Sequence, residues 1–190
     1  MDTGPLITLA VAESLDYLLF PNVPVIIPDA VLFEATRKTE AIGAFSINEW
    51  VQGHADQVNT VPTTLFENYV AGLEFGLDKA PNLGEQSAFE VIENTPFVSE
   101  NEIAILLSED DKVIRGLSIP EGARDRIIVI TTHDFLEGLE RSQRINSVDA
   151  VYQRAEDGGR AASKKQTELD QRDRALEAVV AALKTNGPKS

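Results

Sequence analysis

Between Glu102 and Arg115 the sequence reads EIAILLSEDDKVIR: an apolar run through Ile103, Ala104, Ile105, Leu106 and Leu107 that stops at Ser108, Glu109, Asp110 and Asp111. A continuous apolar run with polar ends fits a strand covered on both faces, the habit of parallel sheets in α/β proteins. In such sheets ligands gather at the carboxyl ends of the strands. Carboxylates crowded there repel one another unless a cation neutralises them. The same acids also suit a solvated turn that caps the next helix, since Asp is a good N-cap.

The remaining composition narrows what such a tip can do. The chain has 190 residues, enough for one domain with an appendage and a sizeable core. It has no Cys and only two histidines, His54 and His133. Thiolate chemistry, disulfides and multi-His metal sites are excluded, so oxygen ligands must hold any bound metal, which then is a hard cation such as Mg²⁺ or Mn²⁺. No stretch is long and apolar enough for a membrane span, and there is no basic-then-apolar leader, so the expectation is a cytoplasmic protein with no membrane partner.

The net charge of −14 argues against contact with nucleic acid. Its distribution is uneven, however. The first hundred residues carry only Arg37, Lys38 and Lys79 as cations, and nearly all the others lie in the second half. A polyanion could be gripped only by groups such as Lys112, Arg115, Arg124, Arg126, Arg141 and Arg144.

In chain order, Asp2 precedes Thr3-Gly4-Pro5 and the apolar stretch from Leu6 to Ala12, which places it at a strand-to-helix turn. The strand that should lead into Asp2 is nearly missing: it is a stub, or the start is truncated. Leu15 to Phe20 continue helically. Val23 to Ile27 read as a strand, followed by a helix carrying Val31, Leu32, Glu34 and Ala35. Glu40 to His54 predict a helix, Gln57 to Val61 a strand, and Thr63 to Gly76 a helix. Leu83 to Ile92 predict a helix that packs closely at Gly84, with Glu85 in the first turn, where the helix dipole alone would favour it. After the acid tip come a helix from Asp110 to Leu117 and a second buried strand from Ile127 to Thr132. His133 reads as a loop residue, and Asp134 as a structural cap or first-turn acid. Ser147 begins a short helix through Val148, Val151 and Tyr152. We divide the chain into a domain over 1–157 and a helical extension over 158–190, whose segment from Ala161 to Lys184 carries a stripe of Leu169, Leu176, Val180 and Leu183.

Four acidic positions thus stand where strands end or helices begin: Asp2, Glu34, Glu85 and the pair Asp110-Asp111. Three or four carboxylates without His or Cys suit hydrated Mg²⁺ or Mn²⁺, ions that activate water and stabilise a phosphodiester transition state. The order and wording of these motifs, DTGPLI, VLFEAT, LGEQSA and LLSEDDKVIR, followed by VITTHDFLEGLERSQRI, resemble the PIN-domain family, in particular its bacterial and archaeal branch of short toxin-like proteins.

The resemblance covers most of residues 1 to 152. It implies a three-layer α/β/α fold with a mainly parallel central sheet and a metal-dependent ribonuclease, the toxin of a toxin-antitoxin pair, that leaves phosphate on the 5′ side of the cut. Asp2, Glu34, Glu85 and Asp111 would ligate or orient the metal, with Asp110 as the rival of Asp111 for catalysis. Arg115 would brace the Asp pair or face phosphate, and Lys112, Arg141 and Arg144 would contact RNA. An antitoxin-like protein or a second copy of the chain would be the protein partner. The clipped first strand, the extra acid Glu109 and the tail depart from the family pattern. The alternative is a catalytically silent module of the same fold that acts through a protein partner.

Overall fold

The computed structural model describes residues 1–76, 81–94 and 102–161. Residues Met1–Arg160 form one compact unit, and the chain beyond them is a separate one. The expected tail helix therefore lies outside the described residues.

The chain is mixed α/β, rich in helix, with short parallel strand pairs. After α1 (Thr3–Val11) and a single 3-10 turn at Leu15–Leu19 come β1 (Val25–Pro28), α2 (Asp29–Thr36) and α3 (Ala44–Gly53). Next are β2 (Val58–Val61), α4 (Thr64–Leu73) and α5 (Leu83–Asn94). The remainder holds β3 (Ala104–Leu107), α6 (Asp111–Ile114), a second 3-10 turn at Glu121–Arg126, β4 (Ile127–Ile130), α7 (Thr132–Arg141) and α8 (Val148–Asp157). β1 runs parallel to β2 with Val25 opposite Val58. β3 runs parallel to β4 with Ala104 opposite Ile127. Helices intervene between the members of each pair, as parallel pairing requires.

α1 is the hub of the core. Pro5, Leu6, Thr8, Leu9 and Ala10 are all buried, so the helix is covered nearly all round, against α2, α3 and α8. Its Pro5 stands in the first turn, where a missing N–H costs nothing. Leu6 and Leu9 share one core with Ile27, Val31, Ile47, Trp50, Leu107, Leu136 and Val151. A smaller core joins Ala88, Phe89, Leu106 and Val113. Side chains alternate across a strand, so Leu107 enters the large core and Leu106 the small one.

Local backbone chemistry sets the limits of several elements that the sequence pattern drew too long. α3 starts at Ala44, not near Glu40, because Gly43 sits at φ 80°, outside helical geometry. α1 does not run on into Leu15: Glu13 adopts φ 52°, which breaks the helix before the 3-10 turn. α6 is a single turn rather than a helix to Leu117. Gly116, at φ 69°, ends it, with its N–H on the Val113 carbonyl and the Leu117 N–H on the Lys112 carbonyl, a Schellman closure. β4 ends at Ile130 because Thr131 is the N-cap of α7, paired reciprocally with Asp134 in a capping box. His133 consequently lies in the first turn of α7, not in a loop, and its ring stacks on Tyr152.

A larger correction concerns the second face of the opening strand. Only Leu106 and Leu107 are buried; Ile105 is 57% exposed, and Ile103, which lies outside the strand, is 61% exposed. On β4, Ile128, the partner of Ile105, is 50% exposed. Hydrophobicity recorded the preference of these residues for burial, but only the carboxyl half of β3 is buried.

Candidate acidic site at the strand ends

β3 delivers its acid tip beside the start of α1. The Asp2 N–H donates to the Leu107 carbonyl at 2.9 Å. The Asp2 side chain caps α1, accepting from the Thr3 N–H at 2.7 Å through Oδ1. Its Oδ2 accepts from the Ser108 hydroxyl at 3.1 Å. That hydroxyl also accepts the Asp110 N–H at 3.1 Å. Ser108 is 1% exposed, so one buried hydroxyl ties the first acid to the loop that carries Asp110 and Asp111.

Glu34 arrives from α2, which follows β1. Its Oε2 accepts from the Thr3 hydroxyl at 2.9 Å. Gly84 of α5 presses on the same carboxylate: a Cβ at Gly84 would stand 2.9 Å from Glu34 Oε2 and 3.2 Å from Val31 Cγ2. The close packing expected at LGEQSA is therefore real, and the surface packed against is Glu34 and Val31. Glu85 follows Gly84 and is half-buried; it also borders a groove walled by Asn82, Gln86, Phe89 and Glu90.

The Asp pair divides its tasks. Asp110 is the N-cap of α6, with Oδ1 accepting from Lys112 N–H at 2.7 Å and Val113 N–H at 3.3 Å. Asp111 is exposed in the first turn. Glu109 turns toward α7 and accepts the Thr132 N–H at 3.1 Å. A Cβ at position 4 would meet the Glu109 Cγ at 3.4 Å, an ordinary van der Waals contact. The Thr132 hydroxyl is buried and has no hydrogen-bond partner among the described residues.

The structure thus brings Asp2, Glu34 and the Ser108–Asp110 loop together through hydroxyls. Two contributors escaped the sequence reading: Thr3 and Ser108. Each lies within a motif already singled out, but their partners lie far along the chain, 31 residues between Thr3 and Glu34 and 106 between Asp2 and Ser108. Another network, Asp29 with Thr63 and Ser87, is structural. Asp29 accepts the Thr63 N–H at 3.0 Å and its hydroxyl at 2.7 Å, fastening the start of α2 to the end of β2.

The donor set is all oxygen, which fits a hard cation in chemistry. In arrangement it is incomplete: among the described residues no three His, Cys, Asp or Glu side chains are grouped to hold a metal ion. The expected cations also differ in availability. Arg141 is paired with Glu137 at 3.0 Å, whereas Lys112, Arg115 and Arg144 are exposed. Arg154 and Arg160 serve the fold: Arg154 donates to the Ala12 carbonyl at 2.9 Å and the Ser14 hydroxyl at 3.0 Å, and Arg160 to the Thr8 hydroxyl at 3.3 Å.

Among the described residues no helix is long and apolar enough to cross a membrane. No protein-family model matches the chain, and neither do curated proteins or solved structures.

Proposed function

We propose that the chain is a PIN-like nuclease that hydrolyses phosphodiester bonds in RNA with Mg²⁺ or Mn²⁺, in the manner of a toxin from a toxin-antitoxin pair. In this reading the two strand pairs belong to one three-layer α/β/α sandwich. The observation that carries it is the link of Asp2 to Glu34 through Thr3 and to the Asp110 loop through Ser108, at the carboxyl ends of β1 and β3. Asp2 and Glu34 would hold the ion, and Asp111 and Glu85 would complete its surroundings. A bound divalent cation would supply water activation and charge neutralisation at the phosphodiester. Thr3 and Ser108 orient the two carboxylates. Lys112 in α6 and Arg115 at its end are exposed and would serve as contacts for the phosphate backbone, with Arg144 farther along the chain.

A silent module of the same fold, acting through a protein partner such as an antitoxin-like chain or a second copy, is the rival. The absence of a three-carboxylate group among the described residues favours it. Cleavage of end-labelled RNA with Mn²⁺, Mg²⁺ or chelator, for the parent, Glu85→Gln and Asp111→Asn, separates the two readings. The nuclease reading expects metal-dependent products with 5′ phosphates from the parent alone. Equal RNA cleavage by all three proteins in chelator, or none by the parent in either metal, refutes it.

A further inference from the structure

Glu109 is the acid by which this loop departs from the family pattern, and the fold sets it within the acid site. It follows Ser108, whose hydroxyl donates to Asp2 Oδ2 at 3.1 Å. Its Cβ and Cγ lie against the start of α1, 3.6 and 3.4 Å from where a Cβ at Gly4 would stand. Its Oε1 accepts the Thr132 N–H at 3.1 Å. One side chain, just past the end of β3, thus reaches the first turns of both α1 and α7.

The neighbouring acids are more tightly committed. Asp2 uses Oδ1 on the Thr3 N–H and Oδ2 on the Ser108 hydroxyl. Asp110 accepts two N–H groups of α6, and Asp111 is exposed. Glu109 is half-buried with a single hydrogen bond among the described residues. It belongs to neither of the ion pairs found there, His54–Asp16 and Arg141–Glu137. Arg160, which reaches the same glycine, donates instead to the Thr8 hydroxyl and the Gly4 carbonyl. A half-buried carboxylate without a cation is costly. A second group here lacks a partner: Thr132 is 0% exposed, and its hydroxyl meets no donor or acceptor among the described residues. It stands on the residue whose N–H holds Glu109, and a buried hydroxyl left unpaired also costs free energy.

We propose that Glu109 is a further carboxylate of the cation site, and that Thr132 lends its hydroxyl to the hydration shell of the same ion. This rests on the metal-dependent reading above and adds residues that the resemblance does not supply. The fit is one of chemistry: a charged oxygen group and a neutral one, side by side, both lack the partner that a hard cation with its retained waters provides. Among the described residues no three carboxylates are gathered to hold an ion, and Glu109 is the acid best able to close that gap. Its side chain is longer than that of aspartate and is held by one bond, whereas Asp110 is fixed in its cap.

The test is Mn²⁺ binding, read by paramagnetic resonance of the free ion in moderate salt, for the full chain, Glu109→Gln, Thr132→Val and Glu49→Gln, an exposed acid of α3. Glu109→Gln keeps the shape and an acceptor for the Thr132 N–H, so it is expected to melt with the parent in chelator. Glu109→Gln and Thr132→Val are expected to bind Mn²⁺ at least about tenfold more weakly than the parent, and Glu49→Gln to match it. Thr132→Val is expected to melt no lower than the parent in chelator, because it removes an unpaired hydroxyl. Parent-like Mn²⁺ binding by Glu109→Gln overturns the proposal and leaves the nuclease reading standing. Parent-like binding by Thr132→Val overturns the part given to Thr132. Equal weakening by Glu49→Gln reduces Glu109 to general charge and overturns the proposal as well. No binding by the parent overturns both the proposal and the nuclease reading. One measurement needs no variant: substoichiometric Mn²⁺ is expected to broaden the Gly4 and Thr132 amide resonances of the parent first, and their survival overturns the proposal.

Discussion

Gly84→Ala probes the acid site without relying on any activity. A Cβ at position 84 would lie 2.9 Å from Glu34 Oε2 and 3.2 Å from Val31 Cγ2. Val31 is fully buried and can yield only a few tenths of an ångström, whereas the Glu34 carboxylate is the end of a flexible, half-buried chain. The carboxylate therefore moves, and its 2.9 Å bond from Thr3 breaks. Losing that bond to a charged acceptor at a half-buried site costs about 1 kcal/mol. Displacing Val31 adds about 0.5 kcal/mol, an overpacking penalty at the low end. Replacing glycine in the first helical turn returns about 0.5 kcal/mol of the full interior gain. The sum is a loss of about 1 kcal/mol.

Thr3→Val removes the same bond from its other end and should also cost about 1 kcal/mol. The two changes attack one interaction, so the double variant should lose about 1 kcal/mol rather than about 2, a coupling well outside the ~0.3–0.5 kcal/mol scatter of independent sites. Urea unfolding of the four proteins, read by tryptophan fluorescence and far-ultraviolet dichroism, supplies the cycle. Additive losses would show that Gly84 does not act on Glu34 through the Thr3 bond, and the account of how α5 seats that carboxylate would be wrong.

Other expectations follow from single contacts. The Met1 amine has a folded pKa of about 6 against 8.0 when free. The unfolded chain thus binds more protons between those values, and stability should rise by on the order of 2 kcal/mol from pH 6 to pH 8. Acetylating the amine should flatten that slope, and an unchanged slope would show the amine to be hydrated. Leu136→Ala removes a fully buried side chain from the main core and should cost about 2–5 kcal/mol in urea unfolding; less than 1 would mean that α7 packs loosely. Gly116→Ala forces a side chain to φ 69° and should cost about 1–2 kcal/mol without altering the core, a loss that the same unfolding assay would register.

Several features were legible because they depend on a few adjacent residues. Asp2, Asp110 and Ser147 each cap a helix with a side chain that reaches one to three residues along the chain, and Asp134 stands in a first turn, as its place in the sequence suggested. Strands β1, β3 and β4 declared themselves through apolar runs, and the parallel pairing followed from the helices between them. The site was legible only as residue types. That Asp2 and Glu34 share a neighbourhood depends on Thr3, and that Asp2 meets the Asp110 loop depends on Ser108, contacts across 31 and 106 residues.

Hydropathy alone put Ile103 and Ile105 inside, and tertiary structure left them on the wall of an open slot. Pattern reports what each residue would gain from burial, while actual burial depends on which strand edges and helix faces come to lie against it. For the same reason the sequence determined several of the helix caps and the all-oxygen character of the acid cluster. Only the folded chain decided that Gly84 presses on Glu34, that Ser108 bridges two acids, and that the two strand pairs stand apart around Met1.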